Sequence, residues 1–286
     1  NSKIDSYGSV RLGTYLTTKV GKLTTTVNYN YANQNKKQTE NYREEAYNYV
    51  KTGEQKREYG TNSTAAILHF GNISASYEID SLNLLTASTT FFGYKADANT
   101  QFTNERWDKN SQLIYKFDNN MTTPGYSHLN LGGRLDYQHK THLDGEILTL
   151  SYMLAATRPH TIFRQTYSNM VNFPVSYTSY DQNTRERFTE HTFQIDYVRP
   201  FGKHHKIESG TKYILRYNNS TSLMDYQGTT PDMESKFKHN AQVAAAYLSY
   251  IFTAGKWAAR AGLRYEFTRM KASYPDGSNA DYHANL

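Results

Sequence analysis

Trp257–Thr268 reads W-A-A-R-A-G-L-R-Y-E-F-T and carries the clearest periodicity in the chain. Its apolar side chains recur at every second residue, and Arg260, Arg264 and Glu266 lie between them. Successive side chains of a β-strand point to opposite faces, so this pattern predicts a strand that is apolar on one face and polar on the other. Twelve residues also suffice to cross a bilayer, since a tilted strand needs about 9–11.

The same alternation recurs along the chain, and we count ten strands in all. Further clear examples are Leu23–Tyr31, Leu129–Lys140, Phe193–Tyr197 and Ile207–Tyr217. Helical patterns are almost absent.

Two stretches depart from the alternation. The parity of Ile67–Ile79 changes near Gly71, which predicts a β-bulge. Glu40–Tyr49 has no sustained apolar stripe, so we expect a loop there with at most one helical turn.

Composition limits the class of protein. The chain has 286 residues, a net charge of +6 and 37% hydrophobic residues. No window approaches the 18–20 consecutive apolar residues of a spanning helix, which argues against a bundle of membrane helices. Aromatic residues make up 14%, whereas disordered chains are poor in them. There is no cysteine, which excludes disulfides, thiolate metal sites and a cysteine nucleophile.

The connections between predicted strands alternate between short and long. The short ones are Lys19–Lys22, Asp80–Asn83, Thr141–Gly145, Pro200–His205 and Thr253–Lys256. The long, polar ones are residues 32–59, 95–125, 157–185, 219–236 and 272 onward. Outer-membrane barrels have short periplasmic turns and long extracellular loops. We therefore predict an all-β fold, an antiparallel transmembrane β-barrel in the bacterial outer membrane.

The two ends of the chain bear on the size of this barrel. If the short turns are periplasmic, the first strand begins and the last strand ends on the long-loop side, so both ends of the chain lie there. Ser273–Leu286 has the composition of a loop and shows no returning strand. We expect residues 1–286 to be a single domain, an incomplete segment of a larger barrel. Closure of the ten strands by themselves remains the alternative, because even strand numbers from eight upward occur.

Two stretches carry a family resemblance. Residues 197–216 read Y-V-R-P-F-G-K-H-H-K-I-E-S-G-T-K-Y-I-L-R, and residues 245–267 read A-A-Y-L-S-Y-I-F-T-A-G-K-W-A-A-R-A-G-L-R-Y-E-F. They resemble the barrel domains of TonB-dependent receptors of the Bacteroidetes type, best over residues 126–271. The resemblance implies a 22-strand barrel with a plug domain and ligand import energised through a TonB box. This sequence shows neither the plug nor the TonB box.

Nine charged residues are candidates to face the lumen, because they occupy the polar positions of predicted strands. They could form cross-strand ion pairs that hold the wall, or contact a plug or a permeating ligand. We favour the ion pairs for any single member. The nine are Arg134, Asp136, Asp196, Glu208, Lys212, Arg216, Arg260, Arg264 and Glu266.

The long connections are rich in tyrosine and asparagine, which suits capture of carbohydrate or peptide and equally suits packing of the loops on themselves. The candidates for ligand contact are Tyr42, Tyr47, Tyr167, Tyr177 and Tyr180.

Catalysis and metal binding find little support. His204 and His205 lie in a predicted short turn, and adjacent side chains would point apart if a strand reached them, so one metal is poorly served. His139 and His142 straddle another predicted turn. Neither a Gly-x-Ser-x-Gly elbow nor a His-Glu-x-x-His motif occurs. We expect no enzyme activity, no metal and no cofactor.

The expected partners are outer-membrane lipid and lipopolysaccharide, whose phosphates would attract Lys and Arg near the strand tops. The TonB system, through a plug outside this sequence, and a surface lipoprotein are further candidates. Nucleic acid is not expected, because the basic residues form no single cluster in the sequence. The alternatives are a passive porin or structural barrel, a secreted soluble all-β binding protein, and a barrel hydrolase.

Overall fold

The computed structural model describes residues 2–274 and 277–285. Most of them lie in strands. The elements are β1 (Ser2–Ile4), β2 (Val10–Val20), β3 (Leu23–Gln34), α1 (Lys36–Thr39), β4 (Asn41–Tyr49), β5 (Glu54–Glu78), β6 (Asn83–Trp107), β7 (Leu113–Lys140), β8 (Ile147–Val171), β9 (Tyr177–Phe201), β10 (His205–Gly228), β11 (Met233–Ala254), β12 (Trp257–Ser273) and β13 (Asn279–Asn285). The described residues form thirteen strands, three more than the ten predicted; the ten long ones, of eleven residues or more, correspond to the prediction, and β1, β4 and β13 are additional.

All the strands belong to one antiparallel sheet whose order follows the chain. The order is β1-β2-β3-β5-β6-β7-β8-β9-β10-β11-β12-β13, and β4 pairs with β5. The part of β5 next to the short turn pairs with β3, and its outer part pairs with β4. Among the described residues, β1 and β13 at the two ends of this order do not pair with each other. The all-β, antiparallel prediction is confirmed.

No helix in residues 2–274 and 277–285 is long and apolar enough to cross a membrane.

The five short turns lie where the sequence predicts them. Gly21, Gly202 and Gly255 have φ of +58°, +66° and +57°, a backbone conformation that glycine adopts without a steric penalty. In the β5–β6 turn, the Asp80 carboxylate accepts hydrogen bonds from the backbone N–H groups of Leu82 and Asn83, both at 2.8 Å. Aspartate stabilises tight turns in this way.

The long connections were predicted as loops, and this is wrong for most of their length. The strands continue through them, so that β5, β6, β8 and β9 each have 25 residues. At about 3.3 Å per residue such a strand is roughly 80 Å long, well beyond the thickness of a bilayer. Outside the bilayer neither face needs to be apolar, so the alternation that reveals a strand is lost there.

Three local predictions also need correction. Asn41–Tyr49 is a strand rather than a loop, and the single helical turn lies just before it at Lys36–Thr39. Asn279–Asn285 returns as a strand on Phe267–Ser273, so this part of Ser273–Leu286 is not a loop. Pro275, Asp276 and Leu286 lie outside the described residues.

The bulge predicted at Gly71 is absent, and the pairing of β5 runs through this residue without a shift in register. A Cβ at Gly71 would collide with the ring of Phe91, so glycine here makes room for an aromatic ring. The register shifts that β6 and β7 do show lie further out: in the β6–β7 pairing at Ala96/Ala98 and Arg106/Trp107, and in the β7–β8 pairing at Lys116/Asp118 and Thr122/Ser127.

The sheet separates its side chains into two faces. Cross-strand partners share a face, so the register assigns each residue of adjoining strands. We call the "apolar face" the one that carries Leu131, Leu135, Leu150, Phe193, Ile195, Tyr213, Leu248, Leu263 and Tyr265, and the opposite one the "polar face". These nine side chains are all more than a third exposed. No large side chain of the described residues is fully buried, as expected for a single sheet layer.

Candidate functional site

All nine charged residues predicted to face the lumen lie on the polar face. Asp136 pairs with Ser151, Ser151 with Gln194 and Gln194 with Lys212, so the register carries this face from β7 to β10. It continues from Lys212 through Ala245 to Glu266 on β12. Their common face is therefore established, and their position in a lumen remains a prediction.

Most of the nine are neutralised by neighbours. Arg134 Nε lies 2.6 Å from Asp136 Oδ2. Glu208 lies between two cations, with Arg260 Nη2 at 2.9 Å and Lys206 Nζ at 2.7 Å. These side chains are partly exposed, so each pair contributes at most about 1 kcal/mol.

The remaining pairs follow the same pattern. Arg216 forms an ion pair with Glu190, and Arg264 forms one with Glu266. Asp196 accepts hydrogen bonds from the Tyr247 hydroxyl and the Gln194 amide. The ion-pair interpretation therefore describes most of the set.

Lys212 differs from the other eight candidates. Within residues 2–274 and 277–285 its ammonium group forms neither an ion pair nor a hydrogen bond with another side chain. It lines a cleft of about 500 Å³ on the polar face together with Arg134, Glu190 and Thr192. An unpaired cation in a polar cleft can accept an anionic partner without breaking an existing contact.

Three of the predicted ligand-contact tyrosines come together at the outer ends of the strands. The ring centroids of Tyr167 and Tyr177 are 6.0 Å apart, and those of Tyr177 and Tyr180 are 5.7 Å apart. Four more rings extend this group, which we call the "aromatic cluster": Phe117, Phe163, Phe173 and Tyr226. Apart from Phe173 in the β8–β9 turn, the rings come from four neighbouring strands, β7 to β10, so the cluster connects the outer ends of these strands.

Burial within the aromatic cluster raises the pKa of two of its phenols. Desolvation, together with the nearby phenols of Tyr177 and Tyr180, raises the pKa of Tyr167 to about 12. Burial also raises the pKa of Tyr180. Both phenols stay protonated at neutral pH and can donate hydrogen bonds.

A cleft rich in amides adjoins the aromatic cluster. Its volume is about 410 Å³, and its lining includes Asn62, Asn104, Asn119, Gln165, Phe117 and Tyr167. Gln165 Nε2 donates to Asn119 Oδ1 at 2.9 Å, which orients both amides. Amides combine donors and acceptors, and aromatic rings offer an apolar surface, so this "aromatic–amide cleft" suits a neutral ligand with many hydroxyl or amide groups.

Tyr42 and Tyr47 do not join this site. Both lie on β4, where Tyr42 Oη donates to Glu44 at 3.0 Å and Tyr47 Oη donates to Glu45. The hydrogen bond to Glu44 raises the pKa of Tyr42. The Glu44 carboxylate also pairs with Arg57 on β5, at 2.8 Å. These tyrosines therefore belong to a charged hairpin outside the aromatic cluster.

Sequence reasoning missed the partners of Tyr167, because it assigned this region to a loop. The missed residues include Phe117, Asn119, Phe163 and Gln165. A signal for them exists in the sequence, since Phe163, Gln165 and Tyr167 alternate with a period of two. It is the alternation of a strand whose functional face is aromatic and amide-rich rather than charged.

The histidines form no metal site in the part of the chain that the structure describes. No group of three or more His, Asp or Glu side chains converges there. His204 Nδ1 lies 2.7 Å from the Thr253 carbonyl oxygen, and His205 Nδ1 lies 2.6 Å from Tyr250 Oη. The two adjacent histidines thus contact different groups, His204 from the β9–β10 turn and His205 from the first position of β10.

Comparison with known proteins agrees with this architecture. The sequence model of a family described as "Outer membrane protein beta-barrel family" matches residues 139–285, just over half of the chain. Neither a curated protein nor a solved structure matches the chain. The matched residues include β8 to β12, where the two faces are most clearly separated. The chain therefore belongs to the outer membrane protein β-barrel family, and its location is the bacterial outer membrane.

Proposed function

We propose that this chain forms part of the barrel wall of an energised importer, similar to a TonB-dependent receptor. The resemblance of residues 126–271 to such receptors supports this proposal, and the aromatic–amide cleft carries it. The cleft lies at the outer ends of the strands and on the polar face, which also carries the nine charged residues. A ligand captured there would lie above the interior of the barrel.

The polar face also offers contacts further inward. The amide oxygen of Asn130 is buried and has no hydrogen-bond partner among the described residues. The unpaired ammonium of Lys212 lies nearer the short turns on the same face. We assign these groups to contacts with a plug or a passing ligand. The TonB system would act through such a plug, outside this sequence, and a surface lipoprotein could deliver the ligand. The proposed role is transport rather than catalysis.

The chemistry of the cleft limits the class of ligand. Four amides and three aromatic rings, the third being that of Phe102, favour a neutral carbohydrate or an uncharged peptide over a strongly charged ligand. Arg43 and Glu58 also contribute to the lining, with opposite charges.

Conductance distinguishes an importer from a passive pore. The full-length protein, purified from the outer membrane, would be inserted into a planar lipid bilayer. A barrel gated by a plug should show no steady conductance, and loss of TonB in the native host should abolish ligand uptake. A steady, ohmic conductance together with uptake that does not need TonB would contradict the proposal.

A passive porin is the second candidate, and the paired charges favour it. Arg134 with Asp136 and Arg216 with Glu190 neutralise each other, so this part of the polar face needs no plug to balance its charges. A steady, ohmic conductance in the planar bilayer, with uptake that does not need TonB, would support the porin.

A further inference from the structure

Three arginines at the outer border of the apolar face lack an acidic partner. The chain has fourteen arginines, and ten of them form an ion pair within 4.0 Å. Arg11, Arg158, Arg185 and Arg187 form none with any residue in 2–274 or 277–285. Three of these four line a single cleft of about 380 Å³, which we call the "arginine cleft".

The register places these arginines side by side. Thr157 pairs with Phe188 and His160 with Arg185, so Arg158 lies opposite Arg187 between them. Like charges directly opposite each other on neighbouring strands are destabilising. Glu186, between Arg185 and Arg187 in the sequence, pairs with Ser220 on the polar face. It also contributes to the lining of the cleft, but it forms no ion pair within 4.0 Å with any of the three arginines, so the cleft keeps an excess of positive charge. The arrangement therefore favours an anion between the guanidinium groups.

The rest of the cleft adds hydrogen-bonding groups. Arg185 Nε lies 3.5 Å from His160 Nε2, which in turn lies 3.0 Å from Asn183 Oδ1. Asn219 and Thr221, on β10, also line the cleft, beside Arg187 and Arg185. Guanidinium groups bind phosphate oxygens in a bidentate manner, which makes arginine the preferred residue for phosphate recognition.

The height of the cleft identifies the source of the phosphate. On β8 the apolar face carries Leu148, Leu150, Tyr152, Leu154 and Ala156 before Arg158. An apolar band about 25 Å tall corresponds to roughly ten residues of a tilted strand. Arg158, eleven residues beyond Ile147, thus follows directly after the band, at the level of the lipid headgroups. The cleft also lies on the outward face rather than the polar one.

We propose that Arg158, Arg185 and Arg187 bind a phosphate group of lipopolysaccharide in the outer leaflet, whose acyl chains lie against the leucines below. The phosphate would satisfy the three cations, and the apolar band would hold the chains. This site is independent of transport, because it rests only on the location in the outer membrane and on the outward orientation of the apolar face.

Binding of purified lipid A to the full-length, delipidated protein in detergent tests the proposal. Wild-type protein should bind bisphosphorylated lipid A. The triple variant R158Q/R185Q/R187Q should bind about 100-fold more weakly, and Arg158→Gln alone about tenfold more weakly, because charge-assisted contacts are lost. Circular dichroism verifies that each variant retains its strands, and the single variant serves if the triple one does not fold.

Arg164→Gln is the matched control. Arg164 lies on the same face of β8 but is already paired with Asp181, at 3.3 Å, so lipid A binding should not change. Dephosphorylated lipid A should bind weakly to the wild-type protein, and inorganic phosphate should not displace lipid A. Equal binding of the two lipids, or a triple variant within twofold of wild type, would overturn the proposal. Displacement by inorganic phosphate would mean a free-anion site and would also overturn it.

Discussion

The inner and outer segments of the same strands differ in how they divide their side chains. In β8, the segment from Ile147 to Ala156 has an apolar face of leucines and a polar face that includes Ser151. Beyond residue 157, arginine, histidine and threonine appear on the formerly apolar face, and Phe163 and Tyr167 appear on the polar one. The backbone pairing continues through both segments. The surroundings of each segment, and not its secondary structure, therefore determine which side chains lie on each face.

The largest expected effect tests the inner segment directly. Leu135 lies on the apolar face near the middle of the band. Leu135→Arg should destabilise the protein by about 2–4 kcal/mol, the cost of a cation at the bilayer midplane. Urea unfolding in lipid vesicles measures this. The control is Asn120→Arg on the outer segment of the same face of β7, which should change stability by less than about 0.5 kcal/mol. Equal costs at both positions would remove the distinction between the segments.

The aromatic cluster provides the corresponding test of the outer segment. Tyr167 contacts Phe117 and Phe173, with ring centroids 5.5 Å and 4.7 Å apart. Tyr167→Ala should weaken the outer ends of β7, β8 and β9 by about 2 kcal/mol, through lost ring contacts and burial. Hydrogen exchange should accelerate at the β8–β9 turn and remain unchanged near the short turns. Tyr42→Ala, outside the cluster, should leave exchange at that turn unaffected, and acceleration by both variants would contradict the assignment.

Substitutions among the charged residues of the polar face should change the free energy of unfolding less. Arg216→Ala leaves Glu190 without its ion-pair partner but in a partly exposed position, so the loss should be at most about 1 kcal/mol. Lys212→Ala removes no ion pair and should change the free energy of unfolding by still less. Unfolding in the same vesicles measures both. A larger loss for Lys212→Ala would show that the lysine has a partner beyond the described residues.

The smallest effect concerns pH. The pKa of Tyr167 is about 12 in the folded state and about 10 for an unperturbed tyrosine. Since the folded pKa is raised, its stabilising contribution is complete below pH 10 and is lost as the pH rises through about 12. The aromatic cluster should therefore lose stability as the pH rises from 10 to about 12. The difference between the ultraviolet spectra of wild type and Tyr167→Phe should show the Tyr167 phenolate forming near pH 12. Formation of this phenolate near pH 10 would contradict the burial of Tyr167.

Physical reasons explain which features could be predicted from the sequence. The short turns and the polar face were predictable, because lipid forces every second residue of Leu129–Tyr137 or Trp257–Phe267 to be apolar. The outer strands were not, because the outer parts of β5 and β9 carry polar residues on both faces. The aromatic cluster depends on a register that joins Phe117 of β7 with Tyr167 of β8 and Tyr226 of β10, and no local pattern specifies it.

Accessibility along β7 tests the central claim most directly, and the chain offers a clean background because it has no cysteine. Single cysteines at Leu131, Leu135, Arg134 and Asp136 would be spin-labelled in vesicles. Oxygen partitions into lipid, and a nickel chelate stays in water. We predict that oxygen relaxes the labels at Leu131 and Leu135 more than those at Arg134 and Asp136, and that the chelate relaxes the labels at Arg134 and Asp136 more than those at Leu131 and Leu135. Absence of this alternation, or its opposite phase, would contradict the assignment of the two faces.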